Sequence, residues 1–365
     1  GVSAQAAWTT GLSDAAADAV PVNAPVLRDQ RRPGNAAISV LAAREAAAGD
    51  DQPWETGHAD QPYSILVSNE SHYCVDRATR IMGWGQKGAW KTPVDERFRI
   101  DPTRLQASLQ AARNEGRKVL GLVGNACTTA TGSFDPLPDL ADFCQDNGLW
   151  FHVDAAHGGG ALFSERHRSL LEGIERADSV VIDFHKMLLT PTLTTGVLFR
   201  KEQDSFRAFA QKAEYLWREN ESPEWYNPAK RTIECTKPML GLKVYTLLKA
   251  YGTAAFEANI DRLFDLGEAL AERLERAPDF DLYQKPFCNI VCYRHRPEGI
   301  PETDLNAYNQ WLRDRLVQSG RFYIVQIKRG EELFLRSALM NPLTTEDHLD
   351  HLLETLREVG GDWPG

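Results

Sequence analysis

Two stretches of this sequence place reactive side chains where an apolar strand ends. In HVDAAHGGG (152–160), Asp154 directly follows the apolar run LWFHV (149–153). Open α/β sheets gather their ligand-binding groups at such strand ends, and a lone carboxylate there suits a cationic ring nitrogen. The same stretch read for metal offers His152, Asp154 and His157, because residues two apart on a strand share a face. Read for structure alone, Asp154 caps a turn and the glycines permit close packing. In IDFHKML (182–188), Lys186 comes just after a second apolar strand and just before the apolar residues 187–189. An amine in so apolar a frame is costly to keep charged, which makes it a usable nucleophile for Schiff-base chemistry. The plainer alternative is a side chain whose head snorkels to solvent. A third string, Gly83, Gly85 and Gly88, spells GxGxxG but follows a helical segment and runs into Trp90, Lys91 and Pro93. A dinucleotide fingerprint needs a strand before it and a helix after it, so this string is set aside.

These residues need a sheet to carry them, and the sequence supplies one. Short apolar runs at 64–68, 119–123, 149–153, 179–184 and 196–199 alternate with helical periods, the pattern of an α/β domain with a mainly parallel sheet. The string AAISVLAAREAAA (36–48) is strongly helix-forming. From Pro136 to Asn147 the apolar residues Leu137, Leu140, Phe143 and Cys144 share a face, and Gly148 stands where a C-cap glycine belongs. Beyond Gly252 the pattern becomes a long amphipathic helix (256–276), two apolar segments around Ile290 and Phe334, and a last helix striped by Leu349, Leu352, Leu353 and Leu356. The expected organisation is an N-terminal arm (1–33), a large domain (34–252) and a smaller α+β C-terminal domain (253–365).

Composition narrows the function classes. The chain has 365 residues, 42% hydrophobic and 25% charged, which suits a folded globular protein with more than one core. Its net charge of -10 argues against a general attraction to nucleic acid or anionic lipid, and no apolar run is long enough for a membrane span. A small-molecule partner is expected, with no nucleic acid and no membrane. Cys74, Cys127, Cys144, Cys235, Cys288 and Cys292 are scattered without a CxxC pair, as buried thiols of a reducing compartment would be, and no secretory signal is visible. The expected location is cytoplasmic.

Asp154, the pair His185–Lys186 about thirty residues on, and the upstream pair Ser71–His72 together resemble the pyridoxal-phosphate enzymes of the aspartate-aminotransferase fold. More narrowly, the sequence is similar to the group II amino acid decarboxylases. The resemblance runs through TTATGSFDPLPDLADFC (128–144), LWFHVDAAHGGGALFSERHRSLLEGIERADSV (149–180), DFHKM (183–187), GLKVYTLLKAYG (241–252) and LRSALMNPLTT (335–345). The middle block is close to the glutamate and cysteine-sulfinate decarboxylases, and DFHK also occurs in diaminobutyrate decarboxylases.

The resemblance implies a fold-type I enzyme with pyridoxal 5'-phosphate as its cofactor and no metal. By its pattern Lys186 carries the cofactor covalently, and Asp154 pairs with the pyridinium nitrogen. His72 stacks on one ring face and Ala156 packs the other. Thr129 supplies a hydroxyl near the cofactor, and His185 and Thr195 lie where phosphate contacts are expected. Tyr215, in AEYLW, falls where the family keeps a loop tyrosine that protonates the substrate carbon after carbon dioxide leaves. The family's Gly-Gly-Thr/Ser-x-x-Asn cradle corresponds to RRPGNAA (31–37), which lacks the double glycine, so no phosphate site is assigned there. CTKPM (235–239) likewise stands where many relatives have a double arginine.

The implied activity is decarboxylation of an L-amino acid by a homodimer. GGGALFSERHR and GIERADSV lean the substrate toward glutamate, aspartate or cysteine sulfinate. The alternatives are a diaminobutyrate or aromatic amino acid decarboxylase, another reaction of the same lysine-bound cofactor (aldehyde synthesis or transamination), or a cofactor-free interaction protein.

Overall fold

The computed structural model describes residues 32–48, 53–57, 61–207, 209, 228–233 and 238–365. They fall into two compact units, each described by itself: the described part of Gly1–Cys127 with Phe134–Glu257, and Thr128–Ser133 with Ala258–Gly365.

The first unit is built on a six-stranded sheet in the order β2-β1-β3-β4-β5-β6. Its strands are β1 (Tyr63–Ser68), β2 (Ala89–Thr92), β3 (Lys118–Asn125), β4 (Trp150–Asp154), β5 (Ser179–Asp183) and β6 (Thr195–Phe199). Strands β2, β1, β3, β4 and β5 pair in parallel, and β6 alone runs antiparallel, against β5. β1, β4 and β5 are buried along their whole length, which is why they read as unbroken apolar runs.

Helices cover both faces. α1 (Arg32–Ala48) buries Ile38, Ala42 and Ala43 against Trp150, Val181, Val197 and Phe199, while its Val40 joins Ile65, Val67 and Val123. α2 (Tyr73–Ile81) packs Cys74, Val75 and Ala78 into that second cluster. On the opposite face, the Gly124 backbone comes close to Leu137 and Leu140 of α4 (Leu137–Asn147), and α3 (Pro102–Asn114) lies beside it with Leu105, Leu109 and Ala112 buried. Asp101 caps α3, its carboxylate accepting from Thr103 N at 3.0 Å. Gly148 closes α4 in the left-handed region (φ 64°, ψ 36°), the C-cap its place in the sequence calls for. Among the described residues this unit also has a single helical turn at Pro53–Thr56 and the helices α5 (Glu202–Arg207) and α6 (Gly241–Tyr251). The GxGxxG string indeed follows α2 and leads through a single 3-10 turn into β2, opening no helix.

The second unit carries an antiparallel sheet in the order β7-β8-β10-β9, from β7 (Phe280–Leu282), β8 (Ile290–His295), β9 (Val325–Arg329) and β10 (Glu332–Ala338). It also holds most of α7 (Ala254–Arg276), together with α8 (Leu305–Ser319) and α9 (Glu346–Gly360). α8 buries Leu305, Tyr308, Leu312 and Leu316, and α9 buries Leu349, Leu352, Leu353 and Leu356. Thr128–Ser133 joins this unit through Cys292 Sγ and Arg336 Nε, which donate to Ala130 O at 3.4 and 3.0 Å, and Gln284 Nε2, which donates to Ser133 Oγ at 3.3 Å. The residue pattern of 128–133 carries no mark of this excursion. Among the described residues no helix is long and apolar enough to cross a membrane.

Candidate active site

Parallel strands end on one edge of their sheet, and the carboxyl ends of β1, β3, β4 and β5 bring the candidate residues of the first unit to that edge. The chain leaves β1 toward β2 on one side and returns to β3 on the other, so a topological switch point lies between β1 and β3. Just there Asn125 Nδ2 donates to Ser68 Oγ at 3.3 Å, and Ser68 Oγ lies 3.3 Å from Ser71 Oγ. His72 follows as the N-cap of α2, its Nδ1 accepting from Cys74 N at 3.2 Å. The His72 ring lies 4.2 Å from that of Tyr73, and the residue is half-buried.

The next strands continue the row. Ala126 N donates to Asp154 O at 2.8 Å, Ala155 N to Val181 O at 3.0 Å, and Asp183 N to Ala156 O at 3.1 Å. Asp154 is 5% exposed at the last position of β4, with Oδ1 accepting from Ala156 N at 3.1 Å. That bond is the turn cap the structural reading expects, and it engages one carboxylate oxygen. Ala156 is buried against α1 and Val181. His152, two residues earlier on the same strand face, spends Nδ1 on Ser179 (2.9 Å to Oγ, 3.1 Å to O). Burial pushes its pKa down to about 4, against the pull of the Asp154 charge, so it stays neutral at pH 7. The Asp154 carboxylate therefore has no cation in its strand neighbour.

The loop after β5 corrects one expectation. Lys186 does not sit in a purely apolar frame, because its Nζ lies 2.8 Å from Asp183 Oδ2. The Asp183 side chain is fully buried and that of Lys186 is 15% exposed. The other Asp183 oxygen accepts from the Thr195 hydroxyl at 2.6 Å, across the pairing of β5 with β6. His185 Nε2 is 3.9 Å from Asp183 Oδ2. Its Nδ1 engages the Thr194 backbone, accepting from N at 3.1 Å in one tautomer and donating to O at 2.9 Å in the other. Asp183 thus gathers Lys186, Thr195 and His185. It was missed from the sequence, although the rule that singles out Asp154, an acid at the end of a buried strand, applies to it equally.

A second missed acid is Asp135. It is 3% exposed and accepts from Ile100 N, Asn125 N and Asn125 Nδ2 at 2.7, 2.6 and 2.7 Å. Burial outweighs these bonds and raises its pKa to about 6. Thr129 is half-buried in the segment grouped with the second unit, and Tyr215 lies outside the described residues.

The donor set fits a pyridoxal cofactor: a lysine amine in the loop after β5 and a buried carboxylate at the end of the adjacent strand β4. The profile of the pyridoxal-dependent decarboxylase conserved domain matches residues 38–296. The acidic amino acid decarboxylase GADL1 of Mus musculus is 30% identical over 320 residues, which cover 84% of this chain and 58% of that protein. The cysteine sulfinic acid decarboxylase of Mus musculus is 32% identical over 315 residues, covering 82% of this chain and 63% of that protein. The chain therefore spans about three fifths of the length of these curated relatives. The crystal structure of mouse CSAD in apo form superposes with a TM-score of 0.85 at 29% identity, covering 95% of this chain and 74% of that one.

Proposed function

Since this chain belongs to the pyridoxal-dependent decarboxylase family, we propose that it is a pyridoxal-phosphate-dependent L-amino-acid decarboxylase acting on amino acids with acidic side chains. The observation that carries the reading is the buried Asp154 carboxylate at the end of β4, beside the loop that presents Lys186. The acidic preference is supported by two relatives named for acidic and sulfinic substrates.

When bound, the cofactor supplies a conjugated ring that accepts the electrons left at Cα as carbon dioxide departs. Lys186 would hold it through its amine. Asp154 keeps a proton on the ring nitrogen, because a nearby anion favours the charged form. His72 and Ala156 would flank the ring, and holding its plane would set the direction in which the scissile bond is aligned. Thr129 and His185 contribute polar contacts to the cofactor. Thr195 acts through the hydroxyl it gives to Asp183. Tyr215 returns a proton to Cα. The working form is a cytoplasmic homodimer.

The reading is tested on the purified protein. Borohydride should fix a pyridoxyl group on Lys186, seen in the peptide mass, and the untreated protein should release carbon dioxide from glutamate, aspartate or cysteine sulfinate. A label on another lysine removes Lys186 from its role. Carbon dioxide from aromatic substrates alone removes the acidic preference.

A further inference from the structure

The Asp183–Lys186 pair is an arrangement that attachment of a cofactor does not by itself require. A buried ion pair survives only when both partners are well placed, since taking the two charges out of water costs several kcal/mol per ion. Here the placement is fixed at three points. Asp183 ends β5 with its N–H on Ala156 O, its Oδ1 holds the Thr195 hydroxyl, and Lys186 N returns to Asp183 O at 3.3 Å to form the turn. Lys186 Nζ is thereby folded back onto Oδ2 at 2.8 Å.

The other charged groups on the neighbouring elements are already placed. Asp154 on β4 caps its own turn, and Arg44 on α1 is paired with Glu45 at 2.6 Å. Lys243 on α6 donates to Thr192 O at 3.0 Å and Pro191 O at 3.4 Å. His185, at 3.9 Å from Oδ2, stands farther from it than Lys186 does. His157, in the turn after β4, is buried.

We propose that Asp183 is a positioning residue for Lys186: it docks the lysine as an ammonium in the cofactor-free protein, aims it at the carboxyl edge of the sheet, and receives its proton when the amine is called on to react. The proton moves from Nζ to Oδ2 without change of oxidation state, and the freed lone pair bonds to the carbonyl carbon of the incoming aldehyde. The carbonyl oxygen leaves as water with the two remaining N–H protons, and the first proton passes from Asp183 to solvent. Asp183 therefore sets the pH at which the protein can be loaded.

This inference rests on Lys186 being the cofactor-bearing lysine, and its test keeps the two apart. The full chain is stripped of cofactor with hydroxylamine, checked for folding by circular dichroism, and labelled with trace acetic anhydride from pH 6 to 11, with the Lys186 peptide followed by mass. In the wild type the labelling midpoint of Lys186 should lie at or above that of Lys285, whose side chain is 82% exposed. A midpoint below that of Lys285 overturns the proposal without any variant. In Asp183→Asn the midpoint should fall by about one pH unit or more, the usual effect of an adjacent opposite charge, and reloading by pyridoxal phosphate, read by absorbance, should shift to lower pH by the same amount. In Thr195→Val, which keeps the carboxylate, the midpoint should stay with the wild type. Equal shifts in both variants mean that the loop has merely loosened, and overturn the proposal. A borohydride label on a lysine other than Lys186 defeats the assignment of Lys186, whereas a label on Lys186 with an unmoved midpoint in Asp183→Asn defeats the role of Asp183 alone.

Discussion

Asn125 and Asp135 are joined twice, the carboxylate Oδ2 of Asp135 accepting both the backbone N–H and the side-chain amide of Asn125. The bond pins the end of β3, and Asn125 passes the constraint to Ser68. Because the folded-state pKa of Asp135 is raised, from 3.8 to about 6, the folded protein holds this proton more tightly than the unfolded chain does. Its contribution to stability is therefore fully present below pH 4 and lost as pH rises through 6. Asp135→Asn cannot titrate, and it turns an amide toward one of three donors, so it should destabilise the protein by about 1–3 kcal/mol. The gap between wild type and variant should be about 2 kcal/mol wider at pH 4.5 than at pH 7. Urea unfolding at both pH values measures it, and a gap independent of pH sinks the assignment.

Asp154→Asn should retain the cofactor while turnover falls about a hundredfold or more, since losing a close buried charge partner costs roughly 3 kcal/mol. Absorbance of the bound cofactor and carbon dioxide release are read on the same sample. Near-normal turnover would reduce Asp154 to a structural role such as its turn-capping bond to Ala156.

Gly158 opens the 3-10 segment after the Asp154 turn, and a Cβ on it would stand 2.6 Å from Phe134 Cε1 and 2.7 Å from Ala126 O. Gly158→Ala must push the turn away from the sheet edge, at a cost of about 1–3 kcal/mol. The expected outcome is a melting temperature lower by several degrees and weaker cofactor retention on dialysis. An unchanged melting curve would show that the turn yields freely.

Tyr215→Phe should bind cofactor and substrate normally but divert product from amine to aldehyde with oxygen consumed, because the phenol proposed to return a proton to Cα is gone. The expectation comes from the place of Tyr215 after Lys186 in the sequence. Amine, aldehyde and oxygen uptake measured together decide it, and an unchanged amine yield with no oxygen uptake removes Tyr215 from the catalytic set.

The central strands and the two reactive strand ends were legible because full burial writes continuous apolar runs, and a charged residue closing such a run stands out. β2 was not legible, since AWKT is short, lies at the sheet edge and exposes Lys91. Nor was the reversal of β6, because an apolar run carries no mark of its direction. The partner of Lys186 was missed for a related reason. Residue spacing shows that Asp183 and Lys186 are near in sequence, but only the turn between them shows that the amine folds back. Asp135 escaped because the aspartate of a Phe-Asp-Pro turn looks like surface punctuation, whereas here it is buried beneath β3 and accepts bonds from residues ten and thirty-five positions away.

The excursion of Thr128–Ser133 into the second unit means that the chain passes between the units three times, at 127/128, 133/134 and 257/258. No single cut yields two self-sufficient pieces. During synthesis this segment leaves the ribosome long before its partners do: Ala130 waits for Cys292, 162 residues on, and for Arg336, 206 residues on. Contacts of such sequence separation form late and slowly. A chain halted near residue 257 would hold every strand of the larger sheet yet leave the link between β3 and α4 without its partners, so completion of the C-terminal unit is the checkpoint that vectorial folding must pass.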